Sequence, residues 1–345
     1  MPTDATELLA EVRARAAELI PRGEEIERTG RLPEDILEWI YDLKLFKLMV
    51  PAEFAGRPTP LPELLLVFDE LSAIDGSLGW LVHIGAAGGF FVPSFSEETA
   101  RQLFSPREAV IAGTGFPAGR ARPVPGGYKV SGRWLYASGA QYATLFTANA
   151  RCEEDGQEVV RAFAFFPDQV TVIDDWRAFG LKGTASNTFV VDDVFVPHER
   201  VFVVGDVKWP IDEPLYRLSF DMMAVTTIAS VCFGLTRRFF DLATQMPRWQ
   251  TFAEGKNIAS KAAEYRELFY VLARHWWTRI LNDETPPQSE EVAIIQSIRD
   301  LVDRSITAVQ RVFPHLGMRA LWEIEPINRV YRDLQTAGQH VYLRG

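Results

Sequence analysis

Hydrophobic residues recur at three- and four-residue spacing over roughly the first hundred positions and again from position 214 to the end of the chain. This spacing places them on one face of an α-helix. Between positions 109 and 204 the period changes to two, which is typical of β-strands. The pattern therefore predicts two helical regions around a β region, with long C-terminal helices near 216–246, 256–282, 287–314 and 324–342.

The three regions predict three domains and an α+β fold that is mostly α-helical. Residues 1–107 are expected to form an N-terminal helical domain, residues 108–206 a central β-barrel or β-sandwich domain, and residues 207–345 a C-terminal four-helix bundle. Strands are expected near 110–111, 128–130, 134–136, 159–166 and 189–196. Gly126 and Gly127 predict a hairpin turn, because a positive φ angle is sterically easy only for glycine.

The composition is that of a folded protein, and it argues against two classes of partner, nucleic acids and membranes. Hydrophobic residues make up 47% and charged residues 24% of the chain, and the formal net charge is −10. A negative surface repels phosphate backbones, so no nucleic-acid partner is expected. No uncharged apolar run reaches the ~18 residues of a membrane helix, so no membrane partner is expected either. Two cysteines without a Cys-x-x-Cys motif, and an N-terminus unlike a secretion signal, indicate the cytoplasm.

Several motifs that identify common enzymes are absent from the sequence. There is no Gly-x-Gly-x-x-Gly after a strand, no phosphate-binding Walker loop, no Gly-x-Ser-x-Gly elbow and no His-Glu-x-x-His metal motif. Nucleotide hydrolysis and α/β-hydrolase chemistry are therefore disfavoured. No metal site is expected.

Two short segments combine small residues with hydroxyl groups at predicted strand ends. They are positions 137–139, Ala-Ser-Gly, and positions 183–186, Gly-Thr-Ala-Ser. A flat apolar ring with a polar edge, such as the isoalloxazine of a flavin, needs this close backbone approach together with a few polar groups. A serine in such a segment can equally cap a turn, and the pattern alone leaves both interpretations of Ser138 open.

Two of the five histidines stand out by their positions. His83 interrupts the most apolar predicted helix, where an unpaired polar group would cost about 1–3 kcal/mol. Either a ligand or a backbone carbonyl would satisfy its ring nitrogens. His340 lies in the last predicted helix, where a histidine can also complement the helix dipole. Both positions therefore remain open between a functional and a structural role.

Four segments resemble one family of flavoproteins. The segments SGRWLYASG (131–139), GLKGTASN (180–187) and VVDDVFVP (190–197) resemble the β-domain of acyl-CoA dehydrogenase-fold flavoproteins. The segment YRDLQTAGQH (331–340) resembles the final bundle helix of one branch, the flavin-dependent monooxygenases that receive reduced flavin from a separate reductase. Oxygenases of the dibenzothiophene monooxygenase and p-hydroxyphenylacetate hydroxylase type belong to that branch. The resemblance implies an acyl-CoA dehydrogenase-like fold.

The resemblance also implies the residues of a site. Ser138 is expected beside flavin N5 and C4a, while His83 and His340 are expected to act on the bound oxygen or the substrate, and these three form the implied catalytic set. The implied flavin-binding residues are Tyr136, Ala137, Ser138, Gly139, Gly183, Thr184 and Ser186. The implied aromatic substrate pocket consists of Trp80, Phe90, Phe116 and Trp134.

The function implied by the resemblance is that of an oxygenase component. It would take reduced FMN from a separate flavin reductase, add dioxygen at C4a, and use the hydroperoxyflavin to hydroxylate or otherwise oxygenate a small aromatic or heteroaromatic molecule. FAD is less expected, because positions 248–253 read RWQTFA where adenylate-binding relatives have Arg-x-x-Phe-Gly. A homotetramer is implied, with a neighbouring subunit covering bundle faces that carry Phe239, Phe240, Phe269 and Trp276.

Two other functions remain open from the sequence. An FAD-dependent acyl-CoA dehydrogenase or oxidase needs a glutamate base, and this chain has Gln339 and His340 where many such enzymes carry it. Glu264 or Glu267 on another predicted helix could supply the base instead. The last alternative is a catalytically silent flavin-fold binding protein, an expectation based on the end of the chain at Gly345, before the tail of typical relatives.

Overall fold

The N-terminal region consists of short helices. The computed structural model describes residues 4–154, 156–284 and 286–344. Its first helices are α1 (Asp4–Leu19), α2 (Gly23–Thr29), α3 (Glu34–Asp42), α4 (Leu61–Ile74), α5 (Gly76–Ala87) and α6 (Glu97–Phe104). Asp75 separates α4 from α5 and caps α5, because its carboxylate accepts hydrogen bonds from the backbone N–H groups of Ser77 and Leu78, both at 3.0 Å. This cap fixes the start of the helix that carries Trp80 and His83.

A β-sheet follows α6. Within the described ranges it has seven strands: β1 (Ile111–Val124), β2 (Gly127–Ala137), β3 (Leu145–Glu154), β4 (Gln157–Phe165), β5 (Thr171–Ile173), β6 (Asn187–Pro197) and β7 (Val201–Phe202). Their order is β5-β6-β2-β1-β3-β4-β7, and β1 and β3 run parallel while the other neighbours run antiparallel. The predicted hairpin turn between β1 and β2 is confirmed, with Gly126 at φ 83°.

Strand β3 is absent from the sequence prediction. Its first four residues, from Leu145 onward, are all buried, and the alternation of buried and exposed positions begins only further along the strand. A strand whose start is covered on both faces shows no period of two in its sequence. The prediction of strands from alternation therefore missed it, although it lies between β1 and β4 near the middle of the sheet.

The C-terminal region is helical again. Its helices are α7 (Phe220–Ala243), α8 (Gly255–Leu281), α9 (Gln288–Val312), α10 (Pro326–Ala337) and α11 (Val341–Arg344). The α+β, mostly helical fold is thus confirmed, but the single last helix predicted over 324–342 is wrong. Glycine is a poor helix former, and at Gly338 the chain leaves α10, so His340 lies in the turn before α11. None of the helices in the described part of the chain is both long and apolar enough to cross a membrane.

One hydrophobic core joins the N-terminal helices to the C-terminal helices. Its buried residues run from Leu8 in α1 to Leu343 in α11. Helices α4 and α7 approach so closely that a Cβ atom on Gly234 would lie 2.2 Å from the carbonyl oxygen of Asp69. The Asp69 carboxylate accepts a hydrogen bond of 3.0 Å from Arg237 of α7, which links the two helices further. This shared core holds α5 against α7.

Candidate active site

A chain of buried hydroxyl groups joins the end of β2 to the loop before β6. Ser138 Oγ lies 2.7 Å from Ser186 Oγ, which lies 2.7 Å from Thr184 Oγ1. Thr184 donates its proton to the carbonyl oxygen of Leu181 at 2.7 Å, so it must accept from Ser186, and Ser186 must accept from Ser138. At the other end, the indole Nε1 of Trp80 donates to Ser138 Oγ at 2.9 Å. The Leu181 carbonyl therefore fixes the direction of the hydrogen bonds along the chain, and Trp80 adds a donor at its other end.

Backbone strain concentrates in the same two segments. Among the described residues, seven other than glycine have a positive φ, and three of them are Tyr136 (68°), Leu181 (52°) and Ala185 (41°). Gly139 also has a positive φ, 76°, and its N–H donates to the carbonyl oxygen of Thr184 at 2.9 Å. Such conformations cost about 1–3 kcal/mol each in residues with a side chain and often accompany functional sites. The strain supports a binding role for these segments.

The strained loop is anchored to the C-terminal helices by Asp333 of α10. The buried Asp333 carboxylate accepts a hydrogen bond of 2.6 Å from the backbone N–H of Leu181. A Cβ atom on Gly180 would lie 2.2 Å from the carbonyl oxygen of Arg332, so only glycine fits there. Burial, reinforced by the negative charge of Asp75, raises the pKa of Asp333 to about 7. Helix α10 therefore sets the position of the loop that carries Thr184 and Ser186.

Two histidines lie next to Trp80: His83 of helix α5 and His340 of the turn before α11. The ring centroid of His83 lies 5.5 Å from that of Trp80, and the ring of His340 lies 5.7 Å from it. His83 Nε2 is 3.1 Å from Thr227 Oγ1, and His340 stacks on Tyr342 at 5.7 Å. Trp80 thus connects both rings to the hydroxyl chain, which brings all three predicted catalytic residues into one cluster.

Both histidines are neutral at pH 7. Burial lowers the pKa of His83 to about 3, with a further lowering from nearby His340. Burial alone lowers the pKa of His340 to about 4. Apolar surroundings disfavour the charged imidazolium and leave each ring able to accept a proton only at high energy cost. The cluster can therefore orient a small molecule through hydrogen bonds in surroundings poor in water.

The other predicted flavin-binding residues lie around this cluster. Ala137 and Gly183 are buried, and the Gly183 N–H donates to Ser77 Oγ at 3.1 Å. Tyr136 is 68% exposed, and its ring contacts Trp176 edge-on at 6.3 Å. Tyr136 is itself one of the strained residues, so its exposed ring lies beside this cluster.

The predicted aromatic pocket is only partly brought together. Trp80 belongs to the cluster. The ring of the buried Phe90 contacts Phe220, which contacts Tyr342, the residue on which His340 stacks. Phe116 is 71% exposed on β1. The assignment of Trp134 to the pocket is wrong. Its side chain points into the sheet core, where it stacks on Phe189 at 5.2 Å and fills the space left by Gly119 and Gly132.

Some residues of the cluster were missed by the sequence analysis. Thr227 contacts His83, whereas its neighbour Thr226 bonds only to backbone carbonyls of α7 and lies outside the cluster; both are fully buried hydroxyl residues in this apolar helix. Two adjacent hydroxyl residues interrupt an apolar helix, as His83 does, and this pattern was visible in the sequence. Asp333 gave a weaker signal, because an aspartate on a short amphipathic helix is usually exposed.

The glutamates nominated as an alternative base are not near the cluster. Both lie on the solvent side of α8, where Glu264 pairs with Lys261 at 2.7 Å and Glu267 with Arg266 at 3.2 Å. Their side chains are 53% and 69% exposed. Neither carboxylate is placed to remove a proton from a molecule held beside Ser138 and His83.

A large surface cavity lies elsewhere, on the sheet. It has a volume of about 910 Å³ and is lined by Arg120, Arg122, Lys129 and Arg151, among other residues. Most of these charges are already paired: Arg151 binds Glu158, and Arg122 and Lys129 bind Asp193. The buried cluster around Trp80 is therefore the better candidate for chemistry, because its polar side chains are buried together and its neighbouring backbone is strained.

Comparisons with known proteins agree with this fold. The family "Acyl-CoA dehydrogenase, N-terminal domain" matches residues 2–109, and "Acyl-CoA dehydrogenase, C-terminal domain" matches residues 257–344. The flavin-dependent monooxygenase oxygenase subunit HsaA of Rhodococcus jostii (strain RHA1) is 25% identical over 344 residues, which cover 92% of this chain and 90% of that protein.

A second relative is more similar over a shorter stretch. The oxygenase component of the FADH(2)-dependent resorcinol hydroxylase of Rhizobium sp. (strain MTP-10005) is 33% identical over 184 residues, 52% of this chain and 45% of that protein. The crystal structure of the HsaA monooxygenase from M. tuberculosis has the same fold, with a TM-score of 0.91 at 23% identity, covering 99% of this chain and 94% of that one.

Proposed function

Because the chain belongs to the acyl-CoA dehydrogenase-fold flavin-dependent monooxygenases, we propose that it is the oxygenase component of a two-component enzyme that hydroxylates a small aromatic molecule. A separate flavin reductase supplies the reduced flavin, as the words "oxygenase subunit" and "oxygenase component" imply for the relatives. The proposal rests on the contacts of Trp80. Its indole donates a hydrogen bond to the hydroxyl chain, and its ring contacts the rings of two neutral histidines.

The hydroxyl chain favours a reduced flavin at Ser138. Reduced flavin, when bound, would supply two electrons that activate dioxygen, and dioxygen would supply the oxygen atom that is transferred. Ser138 gives its proton to Ser186 and accepts from Trp80, so it keeps one lone pair that no described residue uses. A reduced isoalloxazine has an N–H at N5 that can donate to this lone pair, whereas the oxidised ring has none. The ring would also be held by Tyr136, Ala137, Gly139, Gly183, Thr184 and Ser186.

We propose FMN as the preferred flavin. Phe252, in the segment where adenylate-binding relatives carry their Arg-x-x-Phe-Gly motif, stacks on His315 at 4.0 Å with the rings 7° from parallel. That aromatic face is therefore occupied within the chain and not free for an adenine. One relative is FADH(2)-dependent, so the two cofactors need a direct comparison.

The experiment is an anaerobic titration of the flavin-free protein with reduced FMN and, separately, reduced FAD. Reduced FMN should bind at least tenfold more tightly than reduced FAD, a difference of ~1.4 kcal/mol. Both oxidised forms should bind more weakly than the reduced ones. Tighter binding of reduced FAD would overturn the choice of FMN but leave the oxygenase proposal intact. Failure of both reduced flavins to bind would favour the catalytically silent alternative.

His83 and His340 are proposed to contact the substrate. Both are neutral, and their aromatic neighbours exclude water, so they can accept a hydrogen bond from an aromatic hydroxyl and polarise its O–H bond during oxygen transfer. Substituting either by alanine should leave the affinity for reduced FMN within about tenfold and lower product formation by roughly 10².

The test uses a panel of phenols and indoles, with reduced flavin supplied by a reductase and products separated by chromatography. Wild-type ratios of product to flavin oxidised in both alanine variants would show that the two histidines are structural. Oxidation of an acyl-CoA thioester by the wild-type protein without oxygen incorporation would instead favour the dehydrogenase alternative.

We propose that the chain assembles as a homotetramer, but not through the bundle residues first expected. Phe239, Phe240, Phe269 and Trp276 are buried within the chain itself. The exposed apolar side chains lie instead in the segment between α9 and α10, where Met318, Leu321, Trp322 and Ile324 are 73%, 53%, 57% and 67% exposed. Apolar patches of this kind usually mark interfaces. Light scattering at micromolar concentration that detects only monomers would refute the assembly.

A further inference from the structure

His83 has one partnered and one unpartnered ring nitrogen. Nε2 lies 3.1 Å from Thr227 Oγ1, whereas Nδ1 is buried and has no hydrogen-bond partner among the described residues. The ring is almost fully buried, and its remaining neighbours include the aromatic rings of Phe68 and Trp80 at 5.6 and 5.5 Å. A neutral imidazole carries a proton on only one nitrogen, so the position of that proton decides what Nδ1 can do.

The surroundings of Thr227 determine where the proton lies. Thr227 Oγ1 is 2.8 Å from the carbonyl oxygen of Met223 and 3.2 Å from that of Ala224, one turn back in α7. If the hydroxyl donates to a carbonyl, it accepts from Nε2–H, and two hydrogen bonds form. If it donates to Nε2 instead, one bond is lost and a buried Nδ1–H is left without an acceptor. The first arrangement is favoured, because buried donors without partners are rare and costly.

We propose that Thr227 is a positioning residue that holds His83 in the Nε2–H tautomer, so that Nδ1 presents an unshared electron pair to the substrate. This inference rests on the proposed function, in which His83 contacts the substrate. It deepens that function, because an Nδ1 acceptor selects a substrate with an O–H or ring N–H group. A substrate that offers only acceptor atoms gains nothing from this nitrogen.

The tautomer can be measured without any turnover. The full-length protein labelled with ¹⁵N-histidine contains five histidines, and comparison with His83→Gln identifies the signals of His83. We expect a protonated Nε2 and an unprotonated Nδ1 for His83 in the wild-type protein at pH 7. A protonated Nδ1, or an imidazolium, would overturn the proposal whatever the enzyme's substrate proves to be.

Two substitutions in α7 then test Thr227 itself. Thr227→Val keeps the shape but removes the acceptor, so His83 should show a mixture of tautomers and kcat should fall about tenfold with KM changed less. Thr227→Ser restores the hydroxyl and should restore both the tautomer and most of kcat. The matched control is Thr226→Val, because Thr226 is equally buried and donates to the carbonyl oxygen of Met222 at 2.7 Å.

The outcomes separate positioning from packing. Equal losses in Thr227→Val and Thr226→Val would mean that α7 tolerates neither valine for packing reasons, and the positioning role would be wrong. An unchanged tautomer in Thr227→Val would also refute it, even if activity fell. Absence of oxygenase activity in the wild-type protein, with the Nε2–H tautomer present there and lost in Thr227→Val, would leave Thr227 in its role and place the fault in the proposed function.

Discussion

Replacing His83 by glutamine should remove a large part of the acid sensitivity of the folded protein. Burial lowers the pKa of His83 to about 3 in the native state, whereas a histidine in the unfolded chain titrates near ~6.5. Between these two values the unfolded chain binds a proton that the native protein does not. The free energy of unfolding therefore falls as the pH falls through 6.5, and this loss continues until the native ring is protonated near pH 3.

The size of the effect follows from the linkage relation. At pH 5, protonation of an unfolded-state histidine of pKa ~6.5 lowers the free energy of unfolding by about 2 kcal/mol, compared with about 0.2 kcal/mol at pH 7. Glutamine does not titrate, and its side-chain amide can still donate to Thr227 Oγ1 in place of Nε2. His83→Gln should therefore lose about 2 kcal/mol less stability than the wild-type protein between pH 7 and pH 5.

Urea unfolding of both proteins at pH 7 and pH 5, followed by tryptophan fluorescence, measures this difference. The matched control is His198→Gln, because His198 is exposed at the end of β6 and the same substitution there replaces no buried side chain. Other groups that titrate in this range, Asp333 among them, are common to all three proteins and cancel in the comparison. Identical losses of stability in the wild type and His83→Gln would show that His83 is not buried in its neutral form, and the reasoning would fail.

Three further predictions concern the hydroxyl chain and its loop. Ser138→Ala should divert flux from product to hydrogen peroxide, because a hydrogen bond to a group of developing charge contributes about 1.5–3 kcal/mol; peroxide release per flavin oxidised measures it. Trp80→Phe keeps a ring at that position but removes the donor to Ser138, so it should raise peroxide release by a smaller factor, and a wild-type ratio would show that this hydrogen bond does not contribute to holding Ser138 in place. Gly180→Ala should destabilise the protein by at least ~2 kcal/mol, because its Cβ would meet backbone atoms of Arg332, whereas Gly115→Ala, with open space around it, should be nearly neutral in thermal unfolding.

The sequence by itself determined the order of helical and β regions, the turn at Gly126 and the two small-residue segments around Ser138. These features depend on residues close together in the chain: periodicity, glycine conformations and hydroxyl groups at strand ends. The local hydrophobic pattern gave no correct prediction at two places, strand β3 and the end of the last helix. Strand β3 begins with residues buried on both faces, and the period of the last helix continued across Gly338 although the helix did not.

The tertiary structure alone decided how the site is assembled. His83 and Thr227 are 144 positions apart, and Leu181 and Asp333 are 152 apart, so no local pattern could pair them. Likewise, the side chain of Trp134 points into the sheet because Gly119 and Gly132 leave room for an indole there. The proton position on the His83 ring depends on the hydroxyl of Thr227, which belongs to another helix. In a buried site, a polar group can bond only to the partners that packing places within reach.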